Sequence, residues 1–264
     1  MKKRKCNLPI KLISLVTIIF LALVFIIGYS WKVLKSSDYF NIKDIITNEG
    51  DVPELSYLEG KNIFSVDLRS ESSDILAAYP NYSGIRLVRV LPNRIFVNFI
   101  KRKPLALVKL YRYFALDQNG VLFYPTDQPE EPELPIILGL ETKIFGVQPG
   151  KSYYNIKELM LSLYIIKEVK RNRLLKNYKI KKIDVTNIAN TSIFIPHPLK
   201  TKDSINAQAP MVPIELEVRL GKDKIKDKIT ILSGLIIGAK DDLPKIKYID
   251  LRFKEPVIKF KFAQ

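Results

Sequence analysis

The sequence predicts an α+β fold behind one membrane-spanning helix, and three observations carry that reading. A run without charge, Leu12–Ser30 (LISLVTIIFLALVFIIGYS), lies close to the N-terminus. Short β-rich or alternating runs, among them Ile85–Val90, Ile95–Ile100 and Ile214–Leu220, recur after it. Between such runs stand apolar stretches of helical length, above all Ile156–Val169, which holds neither glycine nor proline. With 47% hydrophobic and 27% charged residues the chain is too apolar to be disordered, and its 264 residues suffice for a membrane segment and one or two folded modules.

The first element is the spanning helix. Nineteen residues at about 1.5 Å each cover roughly 28 Å, close to a hydrocarbon core. Lys2, Lys3, Arg4, Lys5 and Lys11 crowd its start, and Tyr29, Trp31, Lys32 and Lys35 mark its end with interfacial aromatics and snorkelling lysines. The denser basic flank places residues 1–11 in the cytoplasm as a tail, with the span at 12–31 and the bulk of the chain outside. A cleaved signal peptide is the rival, but the apolar run is too long and Val33-Leu34-Lys35 makes a poor cleavage site. Ile229–Ala239 is too short to be a second span and reads as a buried helix.

The outer region begins with Phe40–Thr47, read as a strand, and Val52–Leu58, a possible helical turn with Pro53 at its start. Gly60-Lys61-Asn62 signals a turn. Leu68–Tyr79 reads as a helix capped by Asp67 and stopped by Pro80. Ile85–Val90 and Ile95–Ile100 then form a hairpin through Leu91-Pro92-Asn93-Arg94. This strand-helix-helix-strand-strand unit occupies residues 39–103, with its helices on one face of its strands.

Residues 104–264 read as a second, mixed α/β module with a mostly antiparallel sheet. Strands are expected at Leu105–Leu110, Tyr113–Leu116, Val121–Tyr124, Lys179–Val185, Thr191–Ile195, Ile214–Leu220, Ile246–Phe253 and Val257–Phe262. Helices are expected at Ile156–Val169 and Lys222–Ala239. Two stretches read as irregular: the acidic, proline-rich 126–135 and the insertion Pro196–Pro213.

Chemistry is sparse. Cys6 and His197 are the single cysteine and the single histidine, and the bilayer separates them, so neither a zinc cage nor a Cys–His nucleophile is expected. Glu130, Glu131 and Glu133 read as a solvated loop, and no phosphate-cradling glycine loop appears. The chain therefore reads as a binding protein with no catalytic residues, no metal site and no cofactor. Its net charge of +16 favours acidic partners, although the lysines are scattered as solubility alone would scatter them.

The order of these motifs resembles the FtsQ/DivIB family of bacterial cell-division proteins. Phe40–Ile45 is similar to the first strand of that family's POTRA domain, Gly60–Asp67 to the loop entering its second helix, and Val88–Arg94 to its hairpin. Arg102-Lys103-Pro104-Leu105-Ala106 is similar to the exit into its β domain. Leu116–Phe123, Leu134–Gly139 and Ile249–Phe253 follow in the family's order. The resemblance implies a non-enzymatic scaffold at the division septum. Such a protein sits in the cytoplasmic (inner) membrane and binds FtsB-like and FtsL-like small coiled-coil membrane proteins, with further divisome components at the POTRA-like module. It implies no nucleic-acid partner. Recognition would be by strand addition along the last two strands, read as an unpaired edge that begins at Tyr248 and resumes at Val257. The family's contact strand points here to Arg252 and Phe253. Local alternation adds Lys259 and Phe260, lysines on one face and aromatics on the other; lysines on an edge strand also commonly serve to block pairing. The alternatives are a membrane-anchored binder of an anionic polymer and another POTRA-type transport component.

Overall fold

A computed structural model of the chain describes residues 10–48, 55–125, 134–175, 178–196, 215–239 and 242–261. The basic tail with Cys6, the acidic loop of Glu130–Glu133, His197 with the insertion that follows it, and Phe262 lie outside the described residues. The chain divides into two compact units, Met1–Lys101 and Arg102–Gln264.

In the first unit, helix α1 (Ile10–Ser36) runs on past the charge-free stretch, and its described side chains are exposed along the apolar run. An apolar surface of this length has no protein to cover it, which suits a helix fitted to cross a membrane. Strand β1 (Asp44–Thr47) follows, then helix α2 (Leu68–Ala78) and the hairpin β2 (Tyr82–Val90) and β3 (Arg94–Lys101). The described part of the first expected helix is a single 3-10 turn, Ser56–Leu58. The sheet order is β1-β3-β2, with β1 parallel and β2 antiparallel to the central β3. Ile95, Val97 and Phe99 alternate inward from β3 onto Ile42, Leu58, Ile63 and Ile75. Asp67 caps α2, its carboxylate accepting from the amides of Arg69 and Ser70.

Motifs far apart in the sequence meet in this unit. The Arg89 guanidinium on β2 donates to the carbonyls of Ile63 and Val66 at 2.8 and 2.7 Å, so the hairpin holds the loop that enters α2. Lys43 N donates to Asn93 O, which closes the turn of the hairpin against the strand before it.

The second unit is built on a nine-stranded sheet. Its elements in chain order are β4 (Ala106–Lys109), β5 (Tyr113–Leu116), β6 (Leu122–Phe123), β7 (Ile136–Leu138), α3 (Lys157–Arg171), β8 (Lys182–Asp184), β9 (Ser192–Pro196), β10 (Glu215–Arg219), α4 (Ile225–Gly238), β11 (Ile246–Asp250) and β12 (Val257–Phe260). The order across the sheet is β12-β11-β10-β9-β8-β7-β4-β5-β6. Five of the eight pairings are antiparallel; β10–β11, β7–β8 and β4–β7 are parallel. The sheet is therefore mixed and mostly antiparallel, as the sequence implies.

The register explains the core. Phe114, Val108, Ile137, Ile183, Ile193, Val218, Ile249 and Ile258 stand opposite one another, strand by strand, from β5 to β12. All but Ile258 are fully buried, and they pack beneath Leu159, Leu163 and Ile166 of α3 and Ile229, Leu232 and Ile236 of α4. Each buried side chain of this size contributes about 1.5–3 kcal/mol.

Strand β7 is a short element that the sequence reading leaves out of its strands. Gly139, at its end, has φ +89°, and a Cβ there would lie 2.3 Å from the Thr186 amide nitrogen. Only glycine lets the end of β7 run this close to the turn after β8.

Candidate partner-binding edge

Strand β12 closes the sheet order at one end, pairing with β11 and meeting no other strand among the described residues. Its register sets Val257 opposite Asp250, Ile258 opposite Ile249, Lys259 opposite Tyr248 and Phe260 opposite Ile246, with a bulge between Ile246 and Tyr248. Lys261 N donates to Lys245 O at 2.7 Å. Alternate residues of an antiparallel strand turn their N–H and C=O to opposite margins. Lys261, Lys259 and Val257 therefore face β11, and the backbone groups of Ile258 and Phe260 face the outer margin. Beside that margin Val257 and Phe260 are about half exposed, while Ile258 packs on the core.

The predicted contact residues are thus divided among three settings. Val257, Lys259 and Phe260 lie on the outermost strand. Tyr248 lies on β11, whose backbone is taken on both sides by β10 and β12, so it is not at an edge. Its ring is half-buried under the Arg219 guanidinium, 4.0 Å from the ring centre, and Arg219 is held in turn by Glu217 at 2.8 Å. Arg252 and Phe253 lie on no strand at all. β11 ends at Asp250, because the Asp250 carboxylate accepts the Arg252 amide at 3.0 Å and bends the chain two residues on.

This bend is held from several directions. The Arg252 guanidinium donates to both Asp250 oxygens, through Nε at 2.9 Å and Nη2 at 2.6 Å, and to Asn190 Oδ1. Gly221 has a φ of +66°, and a Cβ there would lie 3.0 Å from Ala189 O and 3.4 Å from the Arg252 stem. Leu251 N donates to Arg219 O. The end of β10, the turn before β9 and the β11–β12 loop are thereby tied together, and Phe253 is left 63% exposed at the mouth of the loop. Burial acts to raise the Asp250 pKa, but the hydrogen bonds and charge of Arg252 outweigh it, and the carboxyl titrates below its ordinary value of 3.8. The same pairing raises Arg252.

The face of the sheet away from the helices changes character along its length. Phe123, Ala115, Leu107, Ile136, Lys182, Phe194, Glu217, Tyr248 and Lys259 stand opposite one another from β6 to β12. At the β6 end the row is apolar and joins Leu134 in a small cluster of its own. Toward β12 it becomes a ladder of charges and rings, with Lys182 over Phe194 and Arg219 over Tyr248. The lysines Lys245, Lys247, Lys254, Lys259 and Lys261 gather around the β12 end, against Asp242 and Glu255, and Asp242 is paired with Lys245. No arrangement here resembles a nucleophile with its base. The parts fit recognition of an extended segment by backbone pairing and side-chain contact.

Fold and edge together define the class: an α+β protein with an N-terminal helix fit to span a membrane, a small three-stranded module, and a large mixed sheet that, among the described residues, leaves the β12 margin open. Comparison with known proteins shows what the chain is similar to. No family model matches the chain. The chain is 23% identical over 239 residues to the cell division protein FtsQ of Geotalea daltonii, covering 88% of this chain and 80% of that one. It is 21% identical over 216 residues to the FtsQ of Geobacter sp. strain M21, and 27% identical over 120 residues to that of Syntrophotalea carbinolica, 82% and 43% of this chain respectively. Three relatives, all FtsQ cell-division proteins, thus resemble the chain, one of them along most of its length. These relatives support a role in cell division, and they bear the name of a cell-division protein and not of an enzyme class.

Proposed function

We propose that the protein is a non-enzymatic divisome scaffold that links early division proteins to septal wall synthesis by adding a partner strand to β12. The open outer margin of β12 carries this reading. Its Ile258 and Phe260 backbone groups face outward, with Val257 and Phe260 exposed beside them. Main-chain hydrogen bonds to such a margin give affinity, and side chains at alternate positions give specificity. Partners of the FtsB-like and FtsL-like kind suit it, as single-pass proteins whose extended segments lie at the same membrane. The lysines around the margin favour an acidic segment. In this scheme residues 1–11 face the cytoplasm, 12–31 span the inner membrane, and the outer modules, 39–103 and 104–264, stand at the septum. The POTRA-like module offers a second surface to other divisome components.

Within this scheme Phe253 and Phe260 touch the partner, Val257 and Lys259 border it, and Tyr248 and Arg252 shape the edge from behind. The test is co-purification of the full-length chain with its FtsB-like and FtsL-like neighbours, comparing wild type with Phe253→Lys and Phe260→Lys. Both substitutions fall on exposed side chains, so the fold is expected to persist. Loss of both partners is the expected result. An unchanged partner set in both variants would rule out recognition at this edge.

A further inference from the structure

The end of α1 is built into the first module. The Asn62 side-chain amide donates to the carbonyls of Leu34 at 3.0 Å and Ser37 at 3.1 Å, and its oxygen accepts the Phe64 amide at 3.0 Å. One buried side chain thus fastens the loop Gly60–Phe64 to the last turn of the helix and to the residue after it. Rings continue the contact. Phe64 lies 5.8 Å from Trp31, Phe40 lies 5.2 Å from Phe64, and Tyr39 lies 5.2 Å from Phe40.

These contacts fix the depth of the loop if α1 crosses a bilayer, the reading on which this inference rests. The charge-free run ends at Trp31, directly before Lys32, so Trp31 stands where hydrocarbon gives way to headgroups. Leu34 is three residues on, about 4.5 Å along the axis, and the headgroup zone on each side of a bilayer is about 5–7 Å deep. The Asn62 clamp therefore lies within that zone, and Phe64, touching Trp31, lies at its inner boundary. Exposed side chains around the clamp have the chemistry of such a layer. Tyr39 and Tyr57 are exposed rings, and Lys35 and Lys61 lie over the rings of Trp31 and Tyr57 at 5.5 and 5.1 Å. Lys32, Lys35, Lys43 and Lys61 outnumber the acids nearest in sequence, Asp38, Asp44 and Glu59; Asp38 accepts the Asn41 amide, and Asp44 pairs with Arg94.

We propose that the Gly60–Phe64 loop is a second membrane contact of the chain, seated in the headgroup layer beside α1, where Lys61 together with Lys35 binds acidic phospholipid. The first module is then docked on the bilayer at a fixed angle instead of swinging on a linker. Two measurements on the full-length chain test this. In the first, the chain carries Lys61→Cys on a Cys6→Ser background, a fluorophore at position 61, and sits in phosphatidylcholine vesicles with a headgroup nitroxide. The single tryptophan, Trp31, is the internal depth reference. Quenching at position 61 comparable to that of Trp31 is expected. A probe open to aqueous iodide and untouched by the nitroxide overturns the proposal, whereas an unquenched Trp31 would mean that α1 itself does not span. In the second, phosphatidylglycerol and phosphatidylcholine are titrated onto the detergent-solubilised chain and bound lipid is read by native mass spectrometry. Phosphatidylglycerol should bind more tightly, and Lys61→Gln should weaken it on the order of fivefold with phosphatidylcholine unaffected. Equal binding of the two lipids, or no effect of Lys61→Gln, overturns the assignment of Lys61 to an acidic headgroup.

Discussion

The two ends of the nine-stranded sheet face the same problem, a row of backbone groups with no further strand to pair, and meet it differently. At the β6 end the strand is two residues long, both buried, and its margin is closed by other backbone: Gly150 N donates to Leu122 O at 2.7 Å and Leu122 N to Lys151 O at 3.4 Å. The turn before it is secured by a buried ion pair between Arg102 and Asp117, whose second carboxylate oxygen accepts the amides of Asn119 and Val121. At the β12 end the strand is four residues long, its Phe260 ring is exposed, and among the described residues no strand pairs with its outer margin. Closed, buried edges are the usual protection against stray pairing. In the proposed scheme the open end is the one that takes a partner strand, and its lysines limit which segments are accepted.

Perturbing each end should separate stability from recognition. The largest effect is expected in the interior that both ends share. Gly139→Ala forces a Cβ against Thr186 at a positive φ, and should cost about 3 kcal/mol or more in urea unfolding of the detergent-solubilised chain. Next is the closed end. Asp117→Ala leaves the Arg102 guanidinium buried without its carboxylate and should cost about 3 kcal/mol, with hydrogen exchange rising across β5 and β6. At the open end Phe260→Pro removes an N–H that faces outward and spares the ladder to β11. Stability should change by less than about 0.5 kcal/mol, while partner affinity falls about tenfold, the worth of one charge-neutral backbone bond. If Phe260→Pro instead unfolds the sheet, β12 is a structural strand and the contrast between the ends fails.

The smallest effect concerns the bend behind the open end. Asp250 titrates below its ordinary 3.8 in the folded chain, so its stabilisation is complete above that value and is lost as pH falls through the lower folded pKa. Arg252→Ala removes the group that lowers it. The acid-unfolding midpoint of that variant should shift to higher pH, and its stability near neutrality should drop by about 1 kcal/mol, since Arg252 is partly solvent-exposed. Equal acid limbs for wild type and variant would mean that the Asp250–Arg252–Asn190 contacts do not hold the bend.

Local patterning made most elements legible. The charge-free run announced α1; Asp67 and Pro80 bracketed α2; the Gly-free apolar stretch announced α3; and alternation placed β5 and β10 within a residue of their ends. Strand β7 escaped because three apolar residues behind a proline-rich segment show no period. It is a strand because β4 and β8 flank it, and those partners come from far along the chain. The candidate site shows the same division. Exposed aromatics and lysines near the C-terminus could be read directly, but Tyr248 proved interior because β10 pairs with β11 in parallel, and Arg252 left the strand because Asp250 turned the chain.

By itself the sequence determined most of the helices and strands and that one helix is fit for a bilayer, because those properties depend on neighbours a few residues apart. Only the tertiary structure decided the order of the nine strands, which end of the sheet stays open, and that Asn62 would reach the end of α1, because each of these rests on pairings between residues separated by tens of positions. Hydrogen bonds and packed rings select among such pairings only once the whole chain has closed around them.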